Sequence, residues 1–101
     1  MNTVRDLIVK LHDTKRLSQS GRMTLKIEDV TFVFVSSVVR GILRLKISAS
    51  ASNDNTVPSK VFNLMHLETD VIKYMTEVVN NIGRPKTKIT QRTVSDILLD
   101  E

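Results

Sequence analysis

The chain has 101 residues and 41% hydrophobic content, enough for the core of a single domain. It contains no cysteine, which excludes disulfide scaffolds, thiol catalysis and cysteine-ligated zinc, and no apolar run of membrane-spanning length. The net charge is +4; Lys15, Arg16, Arg22 and Lys26 form one basic segment, and Arg84, Lys86, Lys88 and Arg92 form another with no acid inside it, a pattern that fits a polyanion partner or a pair of solvated loops.

The N-terminus, MNTVRDLIVKLHD, carries acids too early for a secretory signal, so an intracellular protein is expected. Thr3 to His12 reads as a short amphipathic helix: Thr3 is a candidate cap, Asp6 suits the first turn, and Val4, Leu7, Ile8 and Leu11 share a face. At this length it must dock to be stable. Asp13 to Lys26 then reads as a polar connection broken at Gly21.

Ile27 to Ile47 is strongly apolar. Glu28 and Asp29 favour a helix start, and Val35, Val38, Val39, Ile42, Leu43 and Ile47 keep helical spacing; the β-branched and aromatic run Val30 to Val35 leaves a buried strand open. Helix is preferred because no turn signal precedes Gly41 and a lone strand has no evident partner. Ser48 to Thr56, SASASNDNT, reads as a loop.

Ser59 to Ile82 is expected to be the long central helix, opened by Pro58 and closed by Gly83 and Pro85. Val61, Leu64, Met65, Val71, Ile72, Met75, Val78, Val79 and Ile82 recur at three- and four-residue steps, and Phe62, Leu67 and Tyr74 widen the apolar side. Such a helix would be about 36 Å long, against a radius of gyration of about 13 Å for a compact domain of this size. The expectation is burial against a second chain, with a plain helical bundle as the alternative. After the basic loop RPKTKITQ, Arg92 to Leu99 reads as a short helix with Thr90 as its cap.

No enzyme is expected. His12 and His66 are far apart without a matched carboxylate pattern, the serines have no His or Asp at useful spacing, and there is no glycine-rich phosphate loop, so no catalytic residue, metal site, cofactor or small-molecule substrate is assigned.

The order helix, loop, long helix, basic Thr-Lys-Ile-Thr loop, short helix resembles the histone fold over about the last three quarters of the chain. The similarity is to the H-two-B type of core histone: EDVTFVFVSSVVRGI resembles its first helix, Pro58, Ser59, Lys60, Leu64 and Met65 its first loop and central-helix start, and Lys86, Lys88, Ile89, Thr90, Gln91, Arg92 and Ile97 to Leu99 its second loop and last helix. The central helix is shorter and the first loop longer than in that family, the family's final helix is missing, and Thr3 to His12 replaces a lysine-rich tail, so a divergent or virus-encoded relative is implied. A second register makes Thr3 to His12 the first helix and Glu28 to Asn53 the central one, with Val57-Pro58-Ser59-Lys60 resembling the loop before the third helix of the H-two-A type.

The resemblance implies an all-α histone fold forming a handshake dimer, with residues 1–26 an N-terminal extension and 27–101 the histone-fold domain. It implies a partner histone-fold chain of H-two-A type and double-stranded DNA, no membrane, and residence in the nucleus, chromatin or a virion. DNA phosphates would be held by Lys60, Lys86, Thr87, Lys88, Thr90, Arg92, Arg40 and Arg44, and the dimer would close on Leu64, Met65, Val71, Ile72, Met75, Val78, Val79 and Ile82. The implied function is DNA packaging in a nucleosome-like particle; the alternatives are a histone-fold scaffold of a transcription or kinetochore complex, and an unrelated helical interaction module.

Overall fold

A computed structural model describes residues 2–99, and it is not all-α. The elements are α1 (Val4–Asp13), β1 (Arg22–Ile27), β2 (Val30–Val39), β3 (Ile42–Ala51), β4 (Thr56–Asn63), α2 (Glu68–Ile82) and α3 (Gln91–Leu99). The strands form one antiparallel sheet in the order β1-β2-β3-β4. This overturns the expected histone fold and its handshake dimer, since neither long helical block exists as such.

The first correction lies at Ile27 to Ile47. Val30, Phe32 and Phe34 are fully buried while Thr31, Val33 and Val35 between them are only partly so, a period of two that belongs to a strand with one face inward. Gly41, inside the expected helix, is instead part of the turn that supplies the missing partner strand. Arg40 and Gly41 both have positive φ, 53° and 78°, and join Val39 to its pair Ile42 in a two-residue hairpin of the type whose twist matches the flanking strands. From there β3 pairs with β2 in unbroken register from Val39↔Ile42 to Val30↔Ala51. Ser48 to Ala51, expected in a loop, therefore complete β3, and only residues 52–55 form the turn, closed by Ala51 N–H donating to the Asn55 carbonyl at 2.8 Å.

The second correction is at Ser59 to Ile82, which is not one helix. Ser59 to Asn63 finish β4, and Pro58 lies in a bulge, where Pro58 and Ser59 oppose Ser48 alone between the pairs Ile47↔Lys60 and Ala49↔Val57. On an edge strand with a local break in pairing, a residue lacking an N–H costs nothing. The chain then turns through Leu64 to His66, with Asn63 Oδ1 accepting from Met65 N–H and His66 Nδ1 accepting from Asn63 N–H, each at 3.0 Å. Helix α2 starts after Leu67, whose N–H is capped by the Asp70 carboxylate at 3.0 Å. It stops at Gly83, where an added Cβ would lie 2.8 Å from Val30 Cγ2 and 2.9 Å from Asp29 Oδ1. Gly83 thus lets the helix end settle onto the β1–β2 turn.

The helices share one face of the sheet. Val4, Leu7, Ile8 and Leu11 of α1, Val71, Ile72, Met75, Val78 and Val79 of α2, and Val94 and Leu98 of α3 form one core with Met23, Ile27, Phe32, Phe34, Leu45, Ile47 and Phe62 from the strands. The apolar circumference of α2 is therefore covered by this chain's own sheet. The radius of gyration, 13.0 Å, is that of a compact domain of this length. Helices α1 and α3 lie where expected, and both expected caps are present: Thr3 and Asp6 form a reciprocal capping box, and Thr90 Oγ1 accepts from Thr93 N–H. Arg16 donates to the Ile97 and Leu98 carbonyls at 2.8 and 3.0 Å, closing the end of α3 with a cation from the α1–β1 connection.

Candidate nucleic-acid interface

The residues expected to contact DNA do not converge. Lys86, Thr87, Lys88 and Thr90 are exposed in the α2–α3 connection and Arg92 is exposed in the first turn of α3. This connection is held to the β1–β2 turn by Arg84 N–H donating to Asp29. Arg40 is at the opposite end of the ten-residue strand β2, roughly 30 Å away along it. Lys60 is on the helix side of the sheet, its ammonium 5.2 Å from the Phe62 ring centroid and 5.3 Å from that of Tyr74. Its cation is engaged by two aromatic faces. Beside it the Tyr74 hydroxyl is buried without a partner among the described residues, and burial pushes its pKa up. Of the residues expected in a dimer interface, Val71, Ile72, Met75, Val78 and Val79 are in the core and Ile82 packs at its margin, while Leu64 and Met65 are exposed in the β4–α2 turn.

Arg44 alone of the expected cations lies on the broad face of the sheet that no helix covers. Alternation along the strands puts Arg22 and Lys26 of β1 and Arg44 and Lys46 of β3 on that face, and all four are exposed. Register places Arg22, Val35, Lys46 and Val61 in one row across the four strands, and Lys26, Thr31, Ser50 and Thr56 in another. None of the four strands contains an Asp or Glu. None of the four cationic side chains takes part in an ion pair or hydrogen bond among the described residues, where the one ion pair, Lys10 with Glu68 at 3.6 Å, is on the helical side.

Cations on a sheet have a plain structural use, since Lys and Arg on an edge strand discourage pairing with another chain. That accounts for Arg22 and Lys26 on β1. It does not account for Arg44 and Lys46, because β3 is an interior strand, paired on both sides. Two strand spacings separate Arg22 from Lys46, roughly 10 Å, and two residues separate Arg44 from Lys46, roughly 7 Å. Like charges at such distances repel by about 0.4–0.6 kcal/mol in water, a small cost that an arriving anion reverses in sign.

At one end this face runs into an apolar tip. Beyond Arg22↔Val35 on one side and Arg44↔Asn63 on the other, the β2–β3 hairpin continues as two strands only. Val38, Val39 and Ile42 are 65%, 41% and 42% exposed there, and Leu64 and Met65 lie at the same end, just past Asn63. Val39 and Ile42 point to the cationic side.

In the sequence Arg22 and Lys26 stand out only as part of a basic segment, and Lys46 does not stand out at all. The signal was there: Arg44 and Lys46 are spaced by two, which shares a face on a strand and not on a helix, whereas the spacing of four between Arg40 and Arg44 fits either. Comparisons with family models, curated proteins and solved structures find no match to this chain.

Proposed function

We propose that this protein binds duplex nucleic acid through the uncovered sheet face, by charge and shape, with Arg22, Lys26, Arg44 and Lys46 neutralising phosphates. The observation that carries this reading is the pair Arg44 and Lys46 on an interior strand, on a face with no carboxylate and no covering helix. The valines between the cations, Val33, Val35 and Val61, keep the middle of that surface low, and Thr24, Thr31, Ser48, Ser50 and Thr56 add hydroxyl donors on the same face. A phosphate chain therefore meets cations standing above a floor of valines and hydroxyls.

Four phosphate contacts imply that log K falls against log salt with a slope of about −3.6, close to a hundredfold loss between 50 and 200 mM salt. Fluorescence anisotropy of a labelled random-sequence duplex titrated with the chain at several salt concentrations measures this. Absence of binding at low salt, or binding whose salt slope is the same in the Arg44→Glu, Lys46→Glu double variant, would sink the proposal.

A further inference from the structure

We infer that the projecting β2–β3 tip enters the major groove of the duplex and reads base edges there, with the Arg40 guanidinium as the reading group. This rests on the phosphate-binding role of the sheet face and adds sequence discrimination to it.

The argument begins with width. A sheet of four strands is too broad for either groove, whereas the major groove, about 12 Å wide and 8.5 Å deep, admits a two-stranded β-ribbon. The hairpin is reduced to two strands where it leaves its neighbours: Val38↔Leu43, Val39↔Ile42 and the Arg40-Gly41 turn lie beyond the last pairs made by β1 and β4. Three residues of strand reach roughly 10 Å, enough for the groove floor. The minor groove, about 6 Å wide, does not admit the same ribbon.

Chemistry at the tip fits the floor of that groove. Arginine presents a planar donor fork that matches the O6 and N7 acceptors of guanine, and apolar side chains meet the thymine methyl group. Arg40 is at the apex, flanked by the exposed Val38, Val39 and Ile42. Arg40 is also in an unfavourable conformation for its type. Its φ of 53° belongs to the region that Gly or Asn occupies more cheaply in such turns, as does that of Glu28 in the β1–β2 turn. The adjoining cations Arg44 and Lys46 lie on the same side as Val39 and Ile42, so phosphates bound on the sheet and a groove entered by the tip belong to one docking geometry.

The test uses the full chain and a duplex pool with a randomised central segment, from which bound molecules are selected. The expected result is enrichment of guanine next to thymine. Replacing the enriched guanine by 7-deazaguanine, which lacks the N7 acceptor, weakens wild-type binding by on the order of tenfold or more. Arg40→Gly suits the positive φ and leaves the hairpin intact; it binds both duplexes equally while keeping the salt slope set by the sheet cations. Salt-dependent binding with no enriched base, or equal loss on 7-deazaguanine in Arg40→Gly, overturns groove reading and leaves the phosphate contacts standing. No duplex binding at low salt overturns both. Should the chain instead partition onto vesicles of phosphatidylserine and phosphatidylcholine, and lose this on Val39→Asp with Ile42→Asp, the tip is a lipid contact and the inference fails.

Discussion

The Asp29 carboxylate in the β1–β2 turn accepts a hydrogen bond from the backbone N–H of Arg84 at 2.9 Å, tying the first hairpin to the chain just past α2, 55 residues on. That N–H is the foremost reason the Asp29 carboxyl titrates below its ordinary range, with the Ser52 hydroxyl and the Arg84 charge acting in the same direction and desolvation opposing them. Because the folded pKa is depressed, the unfolded chain takes up the proton first as pH falls. The tie is therefore fully present above the ordinary aspartate value and is lost as pH drops through that value and the folded one. The protection of the Arg84 amide, its exchange rate by NMR relative to the intrinsic rate at each pH, should fall in that window in the wild type and be low throughout in Asp29→Ala.

Single charge removals on the open face should register in the salt slope rather than in stability. Each of Lys26→Ala, Arg44→Ala and Lys46→Ala is expected to lower the slope magnitude by about 0.9, while Lys86→Ala and Lys88→Ala, in the α2–α3 connection and not on the sheet face, leave it unchanged. Equal effects from the two groups would place the bound polyanion elsewhere.

Two glycines with positive φ should behave differently. At Gly41 an added Cβ meets nothing within 4 Å, so Gly41→Ala costs only the left-handed backbone term, about 1–2 kcal/mol. At Gly21 the Cβ would come 2.5 Å from Ser36 Oγ and 3.0 Å from the Ser36 carbonyl oxygen, in the place where Ser36 N–H donates to the Gly21 carbonyl. Gly21→Ala should cost more, about 2–4 kcal/mol, because crowding adds to the backbone term. Urea denaturation of the two variants side by side ranks them.

The centre of the sheet should be the most sensitive packing site. Phe34 is fully buried and paired across to Ile47, so Phe34→Ala is expected to lower unfolding stability by about 3–5 kcal/mol. Val38→Ala, 65% exposed on the same strand, should be nearly silent in the same urea titration.

Asn80 clamps the connection to α3 from both sides, its amide donating to the Ile89 carbonyl at 3.1 Å and accepting from Ile89 N–H at 3.0 Å. Asn80→Ala leaves both backbone groups without that partner and should cost about 1–2 kcal/mol. Protease cleavage in the Arg84 to Gln91 segment of the folded variant should be faster than in the wild type, and an unchanged rate would count against the clamp.

Local signals alone were enough for several parts of this protein. Thr3 with Asp6 and Thr90 before α3 act through neighbours three residues away, so their roles are written in adjacent positions, and Gly83 marks the end of α2 locally while its close approach to Val30 and Asp29 is tertiary. The inward face of α1 follows for the same reason. What tertiary structure decided is the state of Val30 to Ile47 and of Ser59 to Asn63, and with them the position of the binding face. In a nearly continuous apolar run, positions spaced by two and by three or four are both filled, so periodicity does not choose between strand and helix. The choice was made by pairing: Val30 with Ala51 and Arg44 with Asn63 meet across 21 and 19 positions of chain, and each strand is stable only because the other is there. The same nonlocal pairing brings Arg22 and Lys26 to one surface with Arg44 and Lys46, an assembly of charge that exists in the sheet and in no single stretch of sequence.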